Sequence, residues 1–214
     1  EKDAREAQVK MLALEEAGVV LALTFDYGQK AAAREISAAA AMCRALKVRH
    51  RAIELPWLAE ICSTALVNPE VAPPKLTPEQ LGEARVTEGE TARAVWVPNR
   101  NGVFIAIAAV FAESLDADLV VTGFNAEEAA TFPDNSAAFA AAATESLRFS
   151  TANRVRVKSY TQDLTKREIV RLGKRIGAPL ELVWSCYYEG DAPCGECESC
   201  ARFMRATHEA ASQQ

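Results

Sequence analysis

The chain has 214 residues, half of them hydrophobic and a quarter charged, with a net charge of −5 at pH 7. That length suits one sizeable α/β domain, or a domain with a small appendage. No apolar run approaches the length needed to cross a bilayer, and the acidic balance argues against a broad, nonspecific nucleic-acid surface.

In chain order, Asp3 and Glu6 have the residue types and spacing of a capping box, and an Ala/Leu/Met-rich helix is expected from there to about Ala17, with Gly18 closing it. Val19 to Phe25 is a continuous apolar run that ends in Asp26-Tyr27-Gly28-Gln29. A strand of this kind belongs in a parallel sheet covered on both faces. A helix follows from Ala31 to about Leu46, then a strand from Arg49 to Glu54, and Pro56 opens a short helix ending near Cys62. Ser63 to Trp96 reads as irregular, broken by Pro69, Pro73, Pro74 and Pro78; a stretch this long is either a binding loop or disorder.

Val97-Pro98-Asn99-Arg100-Asn101-Gly102 leads into an apolar helix to Leu115, and Asp118 to Thr122 is the next buried strand, closing on Gly123. Asp134 or Asn135 can cap an Ala-rich helix running to about Phe149. Arg154 to Lys158 alternates as a strand near a sheet edge would, and Thr165 caps a helix ending at Gly177. This βα alternation predicts a doubly wound parallel sheet. In such a sheet ligands bind beyond the carboxyl ends of the strands, which here carry Thr24 to Gln29, Thr122 to Asn125 and Ser159 to Gln162. Arg100 and Asn101 open a helix, where a guanidinium and free N–H groups can hold an anion; an exposed loop charge is the plain alternative for Arg100. Lys166 stands in the first turn of a helix, where the dipole disfavours a cation unless phosphate is bound nearby or the side chain is simply exposed. Asp134 reads more simply as a cap than as a catalytic acid.

Near the C-terminus four of the six cysteines fall in the pattern Cys186-x7-Cys194-x2-Cys197-x2-Cys200. Thiolates two residues apart can reach one ion, and Gly195 permits the tight turn between them. Zinc is the default ion, an iron–sulfur cluster its rival, and disulfides or core thiols the plainer readings. The segment is too polar for a core, and neither Cys43 nor Cys62 suggests a secreted disulfide framework, so a reducing cytosol is expected.

Taken together, TFDYGQ (Thr24 to Gln29), VPNRN, VTGFNAEE followed by FPD, the Thr165-Lys166 pair and the four cysteines occur in a specific order. From about Val19 to His208 the chain closely resembles the 7-cyano-7-deazaguanine synthase family of the PP-loop ATP pyrophosphatase superfamily. The resemblance implies an adenine nucleotide α-hydrolase-like α/β domain over residues 1–179 and a zinc-binding subdomain over 180–214. It also implies conversion of 7-carboxy-7-deazaguanine and ammonia to the nitrile through an adenylated carboxylate, with ATP and Mg²⁺, in queuosine precursor biosynthesis.

By motif, Thr24, Phe25, Asp26, Tyr27, Gly28 and Gln29 would line the nucleotide or base pocket. Arg100 and Asn101 would approach nucleotide or substrate, Gly123 would allow close backbone approach, and Lys166 would approach phosphate; Arg100 and Lys166 are the candidate catalytic residues. Cys186, Cys194, Cys197 and Cys200 would hold a structural Zn²⁺, since four thiolates leave no open position. A cytoplasmic homodimer acting on small molecules, without nucleic acid or membrane, is the implied setting. The superfamily's Ser-Gly-Gly-x-Asp-Ser phosphate loop has no match in Glu1 to Glu6, whose carboxylates would repel pyrophosphate, and it is expected upstream of Glu1. The alternatives are a related adenylating enzyme acting on another carboxylate or base, and a degenerate, non-catalytic zinc-bearing binding module.

Overall fold

The computed structural model describes residues 18–76 and 89–211. The expected N-terminal helix, the Glu1 to Glu6 segment and residues 77–88 of the irregular stretch lie outside the described residues.

The first βαβ unit consists of β1 (Ala22–Asp26), α1 (Ala32–Ala45) and β2 (His50–Glu54). The strands pair in parallel from Ala22 opposite His50 to Asp26 opposite Glu54, and α1 packs on them through buried Ala39, Met42 and Cys43. A crossover helix is what a parallel pair requires, because a hairpin cannot join strands that run the same way. A short α2 (Pro56–Glu60) follows, with Pro at its start where the missing N–H costs nothing.

The second half repeats the arrangement with different connections. Helices α3 (Glu90–Val95) and α4 (Arg100–Ser114) lead to β3 (Leu119–Thr122). After α5 (Ala126–Thr131) and a 3₁₀ turn over Pro133–Asn135, α6 (Ala137–Ser150) leads into β4 (Arg156–Ser159), which pairs in parallel with β3. Then come α7 (Lys166–Arg175), a 3₁₀ turn over Leu180–Leu182 and α8 (Glu198–Ala211). Among the described residues the sheet therefore stands as two parallel pairs, β1–β2 and β3–β4.

Helix α4 connects the two pairs. It is apolar over most of its length and packs on two sides, leaving Ala106 and Val110 exposed along a third. Phe104 stacks on Phe25 of β1, with ring centroids 4.1 Å apart and planes 11° apart. It joins a core that includes Tyr27, Leu55, Leu58, Leu66 and Val97. Ile105, Ala109 and Ala112 face the other way, into a core with Val120, Phe124, Leu147 and Val155. The run Thr91–Ser114 meets the length and composition of a membrane span at a mean hydropathy of 1.3, contrary to the sequence expectation. It is two helices, however, broken at Pro98 and at Asn99, whose φ is 51°, and α4 contributes to both cores of the fold.

Several local expectations change. The first strand begins at Ala22 rather than Val19. The irregular stretch contains α3, and α5 intervenes where only a connection was expected; both are single-turn helices, too short for a periodic apolar pattern. Helix α6 is capped by Ser136, whose hydroxyl accepts from the Phe139 N–H at 3.1 Å, so neither Asp134 nor Asn135 caps it. Thr165 does cap α7, in a complete capping box with Glu168.

Gly28 turns the chain out of β1 with φ at +83°, and a Cβ there would lie 2.6 Å from the Ala59 side chain on α2. Gly28→Ala is therefore expected to cost about 2–4 kcal/mol, from left-handed strain and overpacking together. Urea unfolding should show the midpoint falling with the slope unchanged.

Candidate active site and metal centre

A cavity of about 110 Å³ lies beyond the carboxyl end of β1. Its walls come from several separate parts of the chain. Tyr27 and Gln29 follow β1, Glu35 stands on α1, Trp96 and Arg100 precede and open α4, and Asp134 lies in the turn after α5. The remaining wall comes from the cysteine segment, through Trp184, Ser185, Tyr187 and Ser199.

The TFDYGQ stretch divides its labour. Tyr27 and Gln29 line the cavity. The other four residues build the turn and its footing. Thr24 Oγ1 is hydrogen-bonded to His50 Nε2 at 2.9 Å, and Phe25 carries the stack on Phe104. Asp26 accepts from the Gly28 N–H at 3.0 Å. Gln29 locks the loop from inside, accepting from the Tyr27 N–H at 2.9 Å and donating to the Phe25 carbonyl at 3.0 Å and to Glu35 at 2.9 Å. A buried amide satisfied at both ends holds its loop in one conformation.

Arg100 is the cation of the cavity. Its Nη1 donates to the Tyr27 hydroxyl at 3.1 Å, and its guanidinium lies 5.6 Å from that ring's centroid. Burial works against its charge, but Tyr27, Asp134 and Glu35 around it more than offset that, and its pKa rises. Its Nε is buried with no hydrogen-bond partner among the described residues. Burial also pushes the Asp134 carboxyl upward, against the pull of Arg100, and raises the Tyr27 hydroxyl. Trp96 and Phe132, both in the cavity wall, stack nearly parallel, with centroids 6.0 Å apart and planes 12° apart. Asn101 does not line the cavity; it donates to the Asp134 carbonyl at 3.3 Å and so holds the turn carrying that acid.

Lys166 is placed differently from the expectation of an exposed or phosphate-facing cation. Its side chain is 6% exposed and its Nζ lies 2.7 Å from Glu128 Oε1, while Glu128 itself lines the cavity. Neighbouring Glu127 accepts from the Lys166 backbone N–H at 2.9 Å and from Arg205 Nη2 of α8 at 3.3 Å. The two carboxylates of α5 thus hold the start of α7 and the C-terminal helix together. Asn125 fixes α5 by accepting from the Glu128 N–H at 3.0 Å. Gly123 lies just past β3 and is not among the cavity residues.

At the C-terminus the four Sγ atoms of Cys186, Cys194, Cys197 and Cys200 all lie within 4.8 Å of one another. The Cys194–Cys200 and Cys186–Cys197 separations are both 4.0 Å. Tetrahedral zinc with Zn–S bonds of about 2.3 Å calls for sulfur–sulfur edges of about 3.8 Å, so the set fits a metal ion. Gly195, with φ at +75°, makes the turn between two of the ligands. The hydrogen bond between Cys197 and Cys200 pulls the Cys197 thiol down and pushes the Cys200 thiol up. A cluster that already favours one thiolate is partly prepared for a cation.

The knuckle also grips a distant segment. Lys75 forms an antiparallel bridge with Cys197, and the Glu198 N–H donates to the Pro74 carbonyl at 2.9 Å. The Lys75 ammonium pairs with Glu196, and Leu76 packs on Ala201.

Sequence reasoning did not find the lining residues Glu35, Glu128, Trp96, Phe132, Trp184, Ser185, Tyr187 or Ser199. The aromatic and acidic ones carry no spacing signal. The serines, however, immediately precede two of the cysteines, which placed them beside a predicted metal site.

A parallel α/β sheet with a polar cavity at its carboxyl edge and a four-cysteine knuckle beside it defines an α/β protein with a candidate small-molecule site and an appendage that could hold a metal. The chain belongs to the family described as queuosine biosynthesis protein QueC, which it matches over residues 6–211. It is 58% identical over 195 residues to the 7-cyano-7-deazaguanine synthase of Pelotomaculum thermopropionicum, a match covering 91% of this chain and 88% of the relative. The synthase of the same name from Desulforamulus reducens is 54% identical over 193 residues, covering 90% and 84%. That of Methanosarcina barkeri is 48% identical over 197 residues, covering 91% and 85%.

Replacing one thiolate leaves three ligands and an incomplete shell. Cys197→Ser should drop metal content from about one ion per chain to a small fraction. Thermal melting should shift down together with it, and retention of full metal with an unchanged melting temperature would contradict a structural ion.

Proposed function

We propose that this chain converts 7-carboxy-7-deazaguanine and ammonia to 7-cyano-7-deazaguanine at the expense of ATP, in queuosine precursor biosynthesis. The observation that carries the reading is the small cavity where stacked aromatic side chains meet Arg100 and Asp134, in a chain whose close relatives carry that synthase name. A flat bicyclic base suits a cavity with aromatic side chains in its wall. A cavity of about 110 Å³ is small beside the roughly 300–1,000 Å³ of drug-sized ligand sites, too small for a whole nucleotide, so the triphosphate is assigned outside it.

The chemistry sets the residue roles. The substrate carboxylate attacks the α-phosphorus of ATP, and pyrophosphate leaves. Ammonia displaces AMP, losing a proton, to give the amide; a second ATP adenylates the amide oxygen with release of pyrophosphate, and loss of AMP and the two N–H protons leaves the nitrile. Arg100 is assigned to the carboxylate and to the negative charge that builds on it; its guanidinium is held by Tyr27, and its Nε has no partner among the described residues to compete. Asp134 and Glu35 are assigned to the N–H donors at the opposite ring edge. Gln29 and the Thr24, Phe25, Asp26 and Gly28 framework position Tyr27, and Asn101 positions Asp134. Lys166 is assigned an indirect part, holding the Glu128 carboxylate at the cavity wall.

The nucleotide is placed at the carboxyl edge of the sheet near Gly123, with Mg²⁺ on its phosphates. Zn²⁺ is the ion assigned to the four cysteines, which would saturate it and give it a structural part. The division at residues 179 and 180 separates the α/β unit from this metal-bearing one. A cytoplasmic homodimer with small-molecule partners and no nucleic acid completes the proposal. A relative acting on another carboxylate, or a non-catalytic zinc module, is not favoured beside relatives this similar.

Incubated with ATP, Mg²⁺, ammonia and 7-carboxy-7-deazaguanine, the protein should yield the nitrile together with AMP; if no nitrile forms, the proposal is wrong. Arg100→Ala is expected to lower kcat/KM by roughly 10²–10³, as loss of a donor to developing charge does.

A further inference from the structure

The knuckle does more than staple the C-terminus, because part of it is cavity wall. Ser185 precedes the ligand Cys186, and Ser199 precedes the ligand Cys200. Both line the cavity, and they are 6% and 2% exposed. Neither hydroxyl makes a hydrogen bond among the described residues, and neither is sealed off from the cavity as the orphaned buried atoms elsewhere are. Buried hydroxyls in a protein interior are ordinarily paired, so two of them facing one cavity point to a ligand that pairs them.

The charge of the lining says which ligand. Glu35, Glu128 and Asp134 face the single guanidinium of Arg100 among the described lining residues. Lys166 behind the wall offsets Glu128, but two carboxylates against one guanidinium still leave the lining net negative, which disfavours a triphosphate and suits a neutral heterocycle rich in N–H groups. A serine hydroxyl both donates and accepts, and a pyrimidinone edge alternates N–H donors with carbonyl and ring-nitrogen acceptors.

We propose that Ser185 and Ser199 are substrate-positioning residues that bind the ring edge of the deazaguanine, so that metal retention in the knuckle and substrate binding in the cavity are thermodynamically linked. The inference rests on the proposed activity for the identity of the base. The linkage follows from the chain itself: each serine is one peptide from a thiolate ligand, so a ring held by both hydroxyls restrains both backbone segments that hold the metal. Coupling of this kind is reciprocal.

The test uses the metal-loaded protein. Transfer of the ion to a chromogenic chelator is timed alone, with saturating 7-carboxy-7-deazaguanine, and with ATP in its place. Substrate should slow release roughly fivefold or more, and ATP should leave it unchanged. In Ser185→Ala/Ser199→Ala, metal-replete by analysis, KM for the carboxylate substrate should rise about tenfold or more, with KM for ATP and kcat within about twofold. If the double variant does not retain metal, the release experiment on the parent protein decides alone. Release indifferent to substrate, or an unchanged substrate KM in a metal-replete variant, overturns the proposal. A parent protein that makes the nitrile while failing these tests leaves the activity standing and removes only this inference; one that makes no nitrile removes the activity first.

Discussion

The packing of one apolar helix between two parallel strand pairs is the constraint on which the rest of this molecule depends. Helix α4 is apolar on two sides and each finds a partner, while Ala106 and Val110 stay exposed along a third. Phe104 takes Phe25 on one side, and Ile105, Ala109 and Ala112 take the β3–β4 core on the other. Burial of these side chains sets the distance between the pairs. It also sets the position of the helix's first residue, Arg100. The guanidinium then stands at the carboxyl edge of β1 without any loop having to carry it there. A charged group projecting from the end of a helix packed on two sides is held more firmly than one on a surface segment.

Around that anchor the site is assembled from segments that each solve their own polar accounting. Gln29 satisfies both ends of its amide within the turn after β1, and Tyr27 is thereby fixed where its hydroxyl meets Arg100. Asn101 ties the Asp134 turn to the same helix. The paired carboxylates of α5 do comparable work at longer range, since Glu127 and Glu128 reach the start of α7 and, through Arg205, the C-terminal helix. A buried ion pair such as Lys166–Glu128 is poor evidence of net stability, but it specifies one arrangement of the elements it joins. Here that arrangement closes one side of the cavity.

The metal knuckle closes another side. It holds residues 74–76 by a backbone bridge and places Trp184, Ser185, Tyr187 and Ser199 against the site. A four-thiolate ion can fold a short polar segment that has almost no core of its own. An ion held there would shape part of the cavity wall, since Ser185 and Ser199, each next to a cysteine of the cluster, line the cavity.

Much was legible in the chain before any coordinates. The β-branched and apolar runs marked the strands, Thr165 with Glu168 marked the start of α7, and the cysteine spacing marked the metal site, because each of these is a local pattern with a local physical cause. Arg100 was legible for the same reason, as a cation at a helix start. What only the tertiary structure decided was which motif residues face the cavity and which face the core. TFDYGQ reads as a uniform motif, yet Phe25 is spent on packing and Tyr27 on the site, a division made by the direction of β1 relative to α4. Lys166 read as a cation open to phosphate, and its burial against Glu128 depends on a short helix that has no periodic signal. The serines beside the cysteines became part of the cavity only because the knuckle folds back onto it. Spacing along a chain determines what can chelate an ion or cap a helix; only the long-range packing of elements that do not neighbour one another in sequence determines what a cavity is made of.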